Sequence, residues 1–444
     1  MHYFNVYRFF STAMKSLKYI PWTKYPQYDH IAIWSYLEQL PNDFEQNKML
    51  AFGKGSSYGD VCLNQNGILF DTNALSSIFE FDRVTGILRC GSGTTIKQIL
   101  NKITPVHWFL PVVPGTKNVS VGGAIANDIH GKNHHVKGSF GNHIVSLEIY
   151  RTDVGLVECS NDKNSALFHA TIGGIGLTGL IITATIQLIR IPSQFLDIEN
   201  KPFGSIKEFI DLTTKVDSEY EYTVGWLNST GTTGSGILQL ANFCDIPKYN
   251  KNNRIIKERN IPSFLAKSCK VNRILVKIIN RIYNIRMITN NGVRHFNDYL
   301  FPLDFITDWN KFLPSSGFIQ YQCRIPYDNA SDIITKLLEL AFSAKTVSFL
   351  NVIKIFGLVE PNGFMSFPRQ GVTLSIDFFK INAKTLEILD IMDNIVFNCG
   401  GAIYPAKDFR MNPKYFRRNF LHLEQFVPHI DPNFSSSYWR RMNE

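Results

Sequence analysis

The apolar positions of this chain predict short elements joined by glycine-rich loops in its first half, and longer elements in its second half. Alternating and continuous apolar runs predict early strands at residues 67–71, 87–90, 143–151 and 177–188. Helical spacing predicts short helices at residues 96–102 and 206–216. This mixture, with glycine at many of the joints, is typical of an α+β domain whose loops carry the function.

Beyond Pro192 the glycine-rich loops become rare, and strands separated by longer helices are predicted. Strands are predicted at residues 318–325, 347–356 and 371–379, and helices at residues 329–344 and 384–398. The repeated order of strand, helix and strand predicts an antiparallel or mixed sheet covered by helices. We therefore expect a domain boundary at residues 191–193.

Residues 245–295 differ from the rest of the chain in charge, because they hold twelve Lys or Arg against only Asp245 and Glu258. Isoleucines with helical spacing accompany these cations. Two interpretations stay open: a lid that rests on an acidic membrane surface, and a segment whose isoleucines pack on the second domain. The formal charge of +9 favours anionic partners. No motif resembles an RNA- or DNA-binding one, so no nucleic-acid partner is expected.

The remaining composition predicts a cytoplasmic protein that contacts a membrane at most peripherally. The seven cysteines include no CxxC pair, which is typical of reduced, mostly buried thiols. The first twenty residues lack the apolar core and cleavage site of a signal peptide. No run of about 18 apolar residues could span a bilayer.

Three glycine-rich segments, residues 52–60, 114–127 and 172–180, are the first candidates for chemistry. Glycine lets a backbone turn tightly enough to direct several N–H groups at one anion. Residues 52–60 alone could be an ordinary turn-rich loop, and their spacing fits neither a Walker loop nor GxGxxG. Three such segments before one domain boundary indicate a large nucleotide.

The stretch of residues 128–135 packs His130, His134, His135 and Lys132 into eight residues. One interpretation is metal binding, although no HExxH pattern or carboxylate partner accompanies the histidines, and we expect no metal. A second is a set of solvated loop histidines. A third is the polar wall of a pocket beside a cofactor, where imidazole and ammonium groups bind or polarise an oxygen.

The order of these motifs carries a specific resemblance. The chain resembles the vanillyl-alcohol-oxidase-type FAD proteins in the order of three motifs. These are GxGxSYGD, then a PGT segment that continues into VGGAIAxDIHGKNHH, and then GGxGLTG. Within these proteins the chain is similar to the decaprenylphosphoryl-β-D-ribose 2-oxidase family, from about residue 34 onward. The resemblance implies a two-domain fold: an FAD-binding domain at residues 1–193, a substrate domain of antiparallel sheet and helices at residues 194–401, and a return to the first domain at residues 402–444.

The family resemblance also implies a set of cofactor-binding residues. They are Ala51, Gly53, Gly55, Ser56, Ser57, Tyr58, Gly59, Asp60, Gly115, Ser120, Val121, Gly122, Gly123, Asn127, Asp128, Ile129, His130, Ile181 and Tyr404. Many related enzymes attach FAD through a histidine in the first loop. Ser56 stands at that position here, so non-covalent FAD is expected.

The implied catalytic residues are Lys407, His130 and Lys132. The implied substrate pocket holds Tyr58, Lys132, Trp226, Gln322, Lys354 and Lys407. The implied reaction is oxidation of a ribose C2 hydroxyl in a polyprenyl-phosphate-linked sugar, and a separate short-chain NAD(P)H-dependent reductase would complete an epimerisation to arabinose. Cationic and imidazole groups suit alcohol oxidation, which needs a proton acceptor and positive charge near the substrate phosphate.

Three positions depart from the family pattern and leave the exact sugar and lipid open. Phe301 stands where members often carry a tyrosine, Ser375 where some carry a cysteine, and Thr373 where they carry an asparagine. An aldonolactone oxidase of the same fold is a second candidate, although such enzymes usually have the first-loop histidine and lack HGKNHH. A flavin-free, membrane-binding pseudoenzyme is a third.

Overall fold

The computed structural model of the protein describes residues 19–35, 47–216, 218–228, 234–245, 291–302, 304, 316–344, 351–379 and 381–443. Nearly all of the basic segment at residues 245–295 therefore lies outside the described residues, and both interpretations of it stay predictions. Within the described ranges the strands form four sheets with helices against them, in agreement with the α+β prediction.

Two small sheets and a strand pair form the first part of the chain. The parallel sheet has the order β1–β3–β2, with β1 at Ala32–Trp34, β2 at Met49–Phe52 and β3 at Ile68–Asp71. The antiparallel sheet has the order β4–β5–β9–β7–β8, with β4 at Ile78–Phe81, β5 at Ile87–Gly91, β7 at Ile144–Arg151, β8 at Gly155–Ser160 and β9 at Leu180–Gln187. The pair is β6 at Trp108–Phe109 with β10 at Ile189–Arg190.

The second part is built on one antiparallel sheet, which has eight strands among the described residues. Its order is β14–β11–β13–β12–β16–β17–β15–β18. The bounds are β11 Phe195–Phe203, β12 Tyr222–Leu227, β13 Gly236–Phe243, β14 Gly292–His295, β15 Ile319–Ile325, β16 Asn351–Phe356, β17 Gly371–Phe378 and β18 Ala402–Ile403. The predicted sheet of the second domain is thus present.

The helices of the described residues fall into three groups. Those between the early strands are α1 Ile96–Ile103, α2 Val121–Ala126, α3 His134–Lys137 and α4 Ser165–Thr171. Those between strands of the large sheet are α5 Ile206–Val216, α6 Phe296–Leu300, α7 Ala330–Ser343 and α8 Ala383–Asn398. Those at the C-terminal end are α9 Pro413–Asn419, α10 Leu423–Phe426 and α11 Ser437–Asn443.

Most predicted elements are confirmed, with two differences in extent, and many of the shorter strands and helices were not predicted. The strand predicted from residue 177 begins at Leu180, because Gly179 takes a φ of +128° and ends a turn. The strand predicted at residues 347–356 is β16, and residues 347–350 lie outside the described residues. Strands β11, β12 and β13 of the large sheet were not predicted, and neither were the shorter strands β1, β2, β4, β6, β8, β10, β14 and β18.

One face of the large sheet packs in the hydrophobic core and the other lines a cavity, because side chains alternate along each strand. In β15 the side chains of Tyr321 and Cys323 pack in a hydrophobic core with helices α7 and α8, while Gln320 and Gln322 line a cavity on the other face. β16 and β17 repeat this division. One sheet therefore supplies both the core of the second part and one wall of the cavity.

The C-terminal segment returns to the first part of the chain. The Met49 N–H donates to the Asn433 carbonyl at 2.8 Å, and the Tyr58 N–H donates to the Ala406 carbonyl at 2.8 Å. The return begins inside the large sheet, because β18 pairs with β15. Residues separated by most of the chain thus lie side by side along the first glycine segment.

An ionic contact fixes this return. The Arg441 guanidinium donates to both carboxylate oxygens of Asp60 at 3.0 Å, and to Asp408 Oδ2 at 3.0 Å. The Asp60 and Asp408 side chains are almost fully buried. Next to them the backbones approach so closely that a Cβ on Gly59 would lie 1.8 Å from the Asp408 carbonyl oxygen, so only glycine fits there.

Two further observations concern the surroundings of the chain. Among the described residues, no helix combines the length and the apolar character that crossing a membrane needs. The cysteines in that part of the chain are free, and Cys90, Cys159, Cys244 and Cys323 are buried, as the spacing predicts.

The Arg441 contact makes a first prediction. Changing Arg441 to Ala leaves two buried carboxylates without their cation, so the free energy of unfolding should fall by about 3 kcal/mol. Chemical denaturation monitored by circular dichroism measures the change. Lys163→Ala is the control, because its ion pair with Glu158 is exposed and should matter far less. Equal losses in both variants would contradict the importance of the buried contact.

Candidate functional site

A cavity of about 320 Å³ lies between the three glycine segments and the large sheet. Its volume falls within the range of small-molecule sites in proteins. Residues of the first glycine segment, of α2 and of the turn before β9 form one side of it. The cavity face of β12, β15, β16 and β17 forms the other, and residues 404–407 close it.

Most residues that the sequence suggested line this cavity. Those suggested for the cofactor are Ala51, Gly53, Gly55, Ser56, Ser57, Tyr58, Gly115, Ser120, Gly122, Gly123, Asn127, Ile129, His130, Ile181 and Tyr404. Those suggested for substrate or catalysis are Tyr58, His130, Lys132, Trp226, Gln322, Lys354 and Lys407. The fold therefore brings together side chains that are far apart in the sequence.

Four of the suggested cofactor residues do not line the cavity: Gly59, Asp60, Val121 and Asp128. Gly59 and Asp60 face the C-terminal return. Val121 is fully buried in the hydrophobic core below α2. Asp128 is fully buried and its Oδ1 accepts the Gly141 N–H at 2.8 Å. Their contacts with neighbouring parts of the chain support the cavity walls, and their role towards a cofactor stays a prediction.

The second glycine segment offers a flat surface to a ligand. Ser120 Oγ accepts the Gly123 N–H at 3.4 Å and so begins α2, whose exposed side is made of small residues. A Cβ on Gly123 would meet only Ser120 Oγ within 4 Å, at 3.2 Å. Next to it, Asn127 Oδ1 is buried and has no hydrogen-bond partner among the described residues. An extended cofactor with polar ring atoms fits such a surface.

The charges on the cavity wall have one sign. Lys54, Lys132, Lys354 and Lys407 are among its lining residues, and no described lining residue is an aspartate or a glutamate. None of the three inner lysines, at 132, 354 and 407, forms an ion pair with a described carboxylate. Such a wall suits a ligand with several negative charges.

The inner lysines are held by carbonyl groups and aromatic rings. Lys132 Nζ donates to the Tyr299 carbonyl and lies 5.7 Å from the ring centroid of Trp226. Lys354 Nζ donates to the Gly131 carbonyl at 3.4 Å. These contacts orient each ammonium group and leave its charge uncompensated.

Burial in a wall of this kind shifts the lysines towards their neutral form. It lowers the pKa of Lys132 to about 7 and that of Lys354 to about 8. Lys407 Nζ lies 3.2 Å from the ring centroid of Tyr58, and burial lowers its pKa to about 7, against the opposing effect of Asp377. At neutral pH these groups can therefore both hold and accept protons.

The histidines of residues 128–135 point in different directions. His130 lines the cavity, and its ring lies 4.8 Å from that of Phe356. His134 is buried on the other side of Phe356, at 4.5 Å. His135 Nε2 lies 2.9 Å from the Tyr220 carbonyl oxygen. Within the described ranges no three His, Cys, Asp or Glu side chains are placed to hold a metal.

Sequence reasoning missed Gln320, which lines the cavity, and Asp377, which is buried next to it and does not line the cavity. Gln320 Nε2 donates to Asp377 Oδ1 at 2.6 Å across the β15–β17 pairing. Asp377 is buried, and this burial raises its pKa to about 7. Both residues could have been found, because they continue the alternation of polar and apolar residues that places Gln322 and Ser375 on the same face.

Comparisons with known proteins identify related FAD-binding and oxidoreductase chains. A family model described as "FAD binding domain" matches residues 41–160. The chain is 30% identical over 416 residues to a decaprenylphosphoryl-β-D-ribose oxidase of Mycolicibacterium smegmatis, with 89% of each chain covered. It is also similar to an L-gulonolactone oxidase of Mus musculus, at 24% identity over 38% of this chain and 37% of that one. A D-lactate dehydrogenase of Archaeoglobus fulgidus is 30% identical over 37% of this chain and 38% of its own.

The surface of α2 makes a second prediction. Changing Gly123 to Leu places a side chain where a flat cofactor would lie, so the purified protein should contain little FAD while its circular dichroism stays unchanged. Absorption of the flavin relative to that of the protein measures the occupancy. Gly123→Ala is the control, because one methyl group needs only Ser120 Oγ to give way. Full occupancy in the Leu variant would show that α2 does not face the cofactor.

Proposed function

The chain belongs to the decaprenylphosphoryl-β-D-ribose 2-oxidase family of FAD-binding oxidoreductases, and on that premise we propose that it oxidises the C2 hydroxyl of a polyprenyl-phosphate-linked ribose to a keto sugar. The relative that supports this substrate is a decaprenylphosphoryl-β-D-ribose oxidase, which the chain matches over 89% of its length. The match to an L-gulonolactone oxidase covers only about a third of the chain and favours the shared cofactor more than a shared substrate.

The observation that carries the proposal is the cationic wall of the cavity. Lys132, Lys354 and Lys407 approach one space from three different segments, and no described carboxylate lines that space. An unpaired buried ammonium group is costly, and a phosphate diester would offset the cost. A neutral lactone or sugar would leave the charges of Lys132 and Lys354 without a partner.

The residues divide the task as follows. FAD, when bound, supplies the acceptor for the hydride that leaves the ribose carbon. Lys407 Nζ accepts the proton of the reacting hydroxyl, because its lowered pKa provides a free amine near neutral pH. Lys132 and Lys354 bind the phosphate and other substrate oxygens. Tyr58 and Trp226 bound the sugar, and the Tyr58 ring positions the Lys407 amine.

The setting of the reaction follows from its product. A separate short-chain NAD(P)H-dependent reductase would reduce the keto sugar and complete an epimerisation to arabinose for cell-envelope polysaccharide synthesis. The lipid carrier requires contact with a membrane surface, so we propose a cytoplasmic protein that is attached peripherally. The basic residues between 246 and 290 are candidates for that contact because of their charge.

The third prediction concerns the attachment of FAD. Ser56 lines the cavity at the position where many related enzymes carry a histidine, and its hydroxyl cannot form the histidyl bond to the flavin. Acid precipitation should therefore release all flavin into the supernatant. Because Cys62 also lines the cavity, Cys62→Ser is the useful control and should give the same complete release. Flavin in the precipitate of the unchanged protein would contradict non-covalent binding.

The fourth prediction concerns Lys407. Its free amine is the proton-accepting form, so anaerobic flavin reduction by a prenylphosphoryl-β-D-ribose should accelerate as the pH rises through about 7 and then level off. Lys407→Ala should retain FAD, lose this pH dependence and react about 10²–10⁴-fold more slowly. Stopped-flow absorption of the flavin measures both effects.

Lys54→Ala is the matched control, because Lys54 lines the cavity yet is exposed and contacts Asn73. It should keep the pH dependence and most of the rate. Near-normal flavin reduction in Lys407→Ala would rule out the proposed proton transfer. Failure of the ribose compound to reduce the flavin of the unchanged protein would rule out the substrate.

A further inference from the structure

Gln322 on β15 connects the cavity to one of the residues that depart from the family pattern. Its Nε2 lies 2.9 Å from His130 Nε2 and donates to Thr373 Oγ1 at 3.2 Å. Gln322 is 5% exposed, and this exposure is to the cavity. Both contacts thus involve the amide nitrogen of Gln322, and neither involves its amide oxygen.

The direction of the hydrogen bonds follows from the Thr373 hydroxyl. A hydroxyl has one proton, and Thr373 Oγ1 donates it to the Cys323 carbonyl at 2.9 Å. Towards Gln322 the same oxygen can therefore only accept. One N–H of the Gln322 amide is thereby used, and the second N–H points at His130.

His130 must then accept at Nε2, so its proton is on Nδ1. Nδ1 is buried and has no hydrogen-bond partner among the described residues, and the rings of Phe356, Phe367 and Tyr404 surround the imidazole at 4.8 to 6.0 Å. Burial, followed by the charges of Lys354, His134 and Lys407, lowers the pKa of His130 well below its ordinary value. The ring is therefore neutral, with no free lone pair for a substrate proton.

With both of its N–H groups used, Gln322 presents only its carbonyl oxygen to the cavity. Oε1 accepts no hydrogen bond from the described residues, and it belongs to a residue of the cavity wall. The Gln322 Oε1 atom is therefore an uncharged hydrogen-bond acceptor in a cavity wall that otherwise carries ammonium groups. The partner that suits it is a hydroxyl group on the ligand.

We propose that Thr373 and His130 orient Gln322 so that its Oε1 accepts a hydrogen bond from a ribose hydroxyl other than the one that is oxidised. Gln322 then determines specificity, and Thr373 and His130 are positioning residues. The identity of the sugar rests on the proposed function, whereas the direction of the hydrogen bonds does not. The substitution of threonine for asparagine at position 373 keeps the one property that the network needs, an acceptor that faces Gln322.

The first test needs no substrate. In holoprotein with ¹⁵N-labelled histidine, the nuclear magnetic resonance signal that disappears in His130→Gln should show a protonated Nδ1 and an unprotonated Nε2, unchanged between about pH 6 and 8. Thr373→Ser should preserve this pattern. Thr373→Val should disturb it, because the amide can turn once the hydroxyl is gone. A protonated Nε2, or a ring that titrates in this range, would overturn the proposal.

The second test uses a short-chain prenylphosphoryl-β-D-ribose and its 3-deoxy and 5-deoxy analogues. Gln322→Leu should lower kcat/KM for the ribose compound about tenfold, mainly through KM. With one of the analogues the variant and the unchanged protein should react equally, because the hydroxyl that Oε1 contacts is missing. An equal penalty with all three compounds would refute a hydroxyl contact. If none of them reacts with the unchanged protein, the proposed function fails, and the histidine spectra still test the network.

Discussion

The buried contact of Arg441 with Asp60 and Asp408 is the interaction on which the site depends. Asp60 ends the first glycine segment and Asp408 directly follows Lys407, so one guanidinium fixes the distance between the cofactor loop and the proposed base. The hydrogen bond from the Tyr58 N–H to the Ala406 carbonyl joins the same two segments. A lysine would not be equivalent to this arginine, because the planar guanidinium pairs with both oxygens of Asp60 and also reaches Asp408.

The second constraint lies in the large sheet. Each of its central strands must place apolar side chains in the hydrophobic core and polar side chains in the cavity. Ile353 and Lys354 are neighbours in β16, yet one packs against helices and the other enters the cavity. The rigid pairing of β16 with β17 and β15 keeps Lys354 and Gln322 in place without help from a loop. Groups held on strands are ready for a ligand before it arrives, which reduces the entropy lost on binding.

The sequence predicted the loops and the cavity residues well, and the long-range contacts poorly. Glycine spacing and the DIHGKNHH stretch are local, so motif and resemblance both pointed to the right segments. The partner of Asp60 is a residue 381 positions away, and nothing local distinguishes a carboxylate that binds an arginine from one that faces a ligand. Gln320 and Asp377 were within reach of strand alternation, and so was β11, where Leu196 and Ile198 alternate with polar residues. By contrast, β12 is buried on both faces and has no alternation to detect.

The position of the return in the chain also bears on biosynthesis. Lys407 and Arg441 lie beyond all three glycine segments and the strands that separate them, so a ribosome makes the cofactor loops long before it makes the groups that close them. Domains generally fold in the order of their synthesis, and the early sheets can thus form while the cavity is still open on one side. The C-terminal segment is thus the last part of the chain to reach the cavity, and its contacts with the first glycine segment close that cavity.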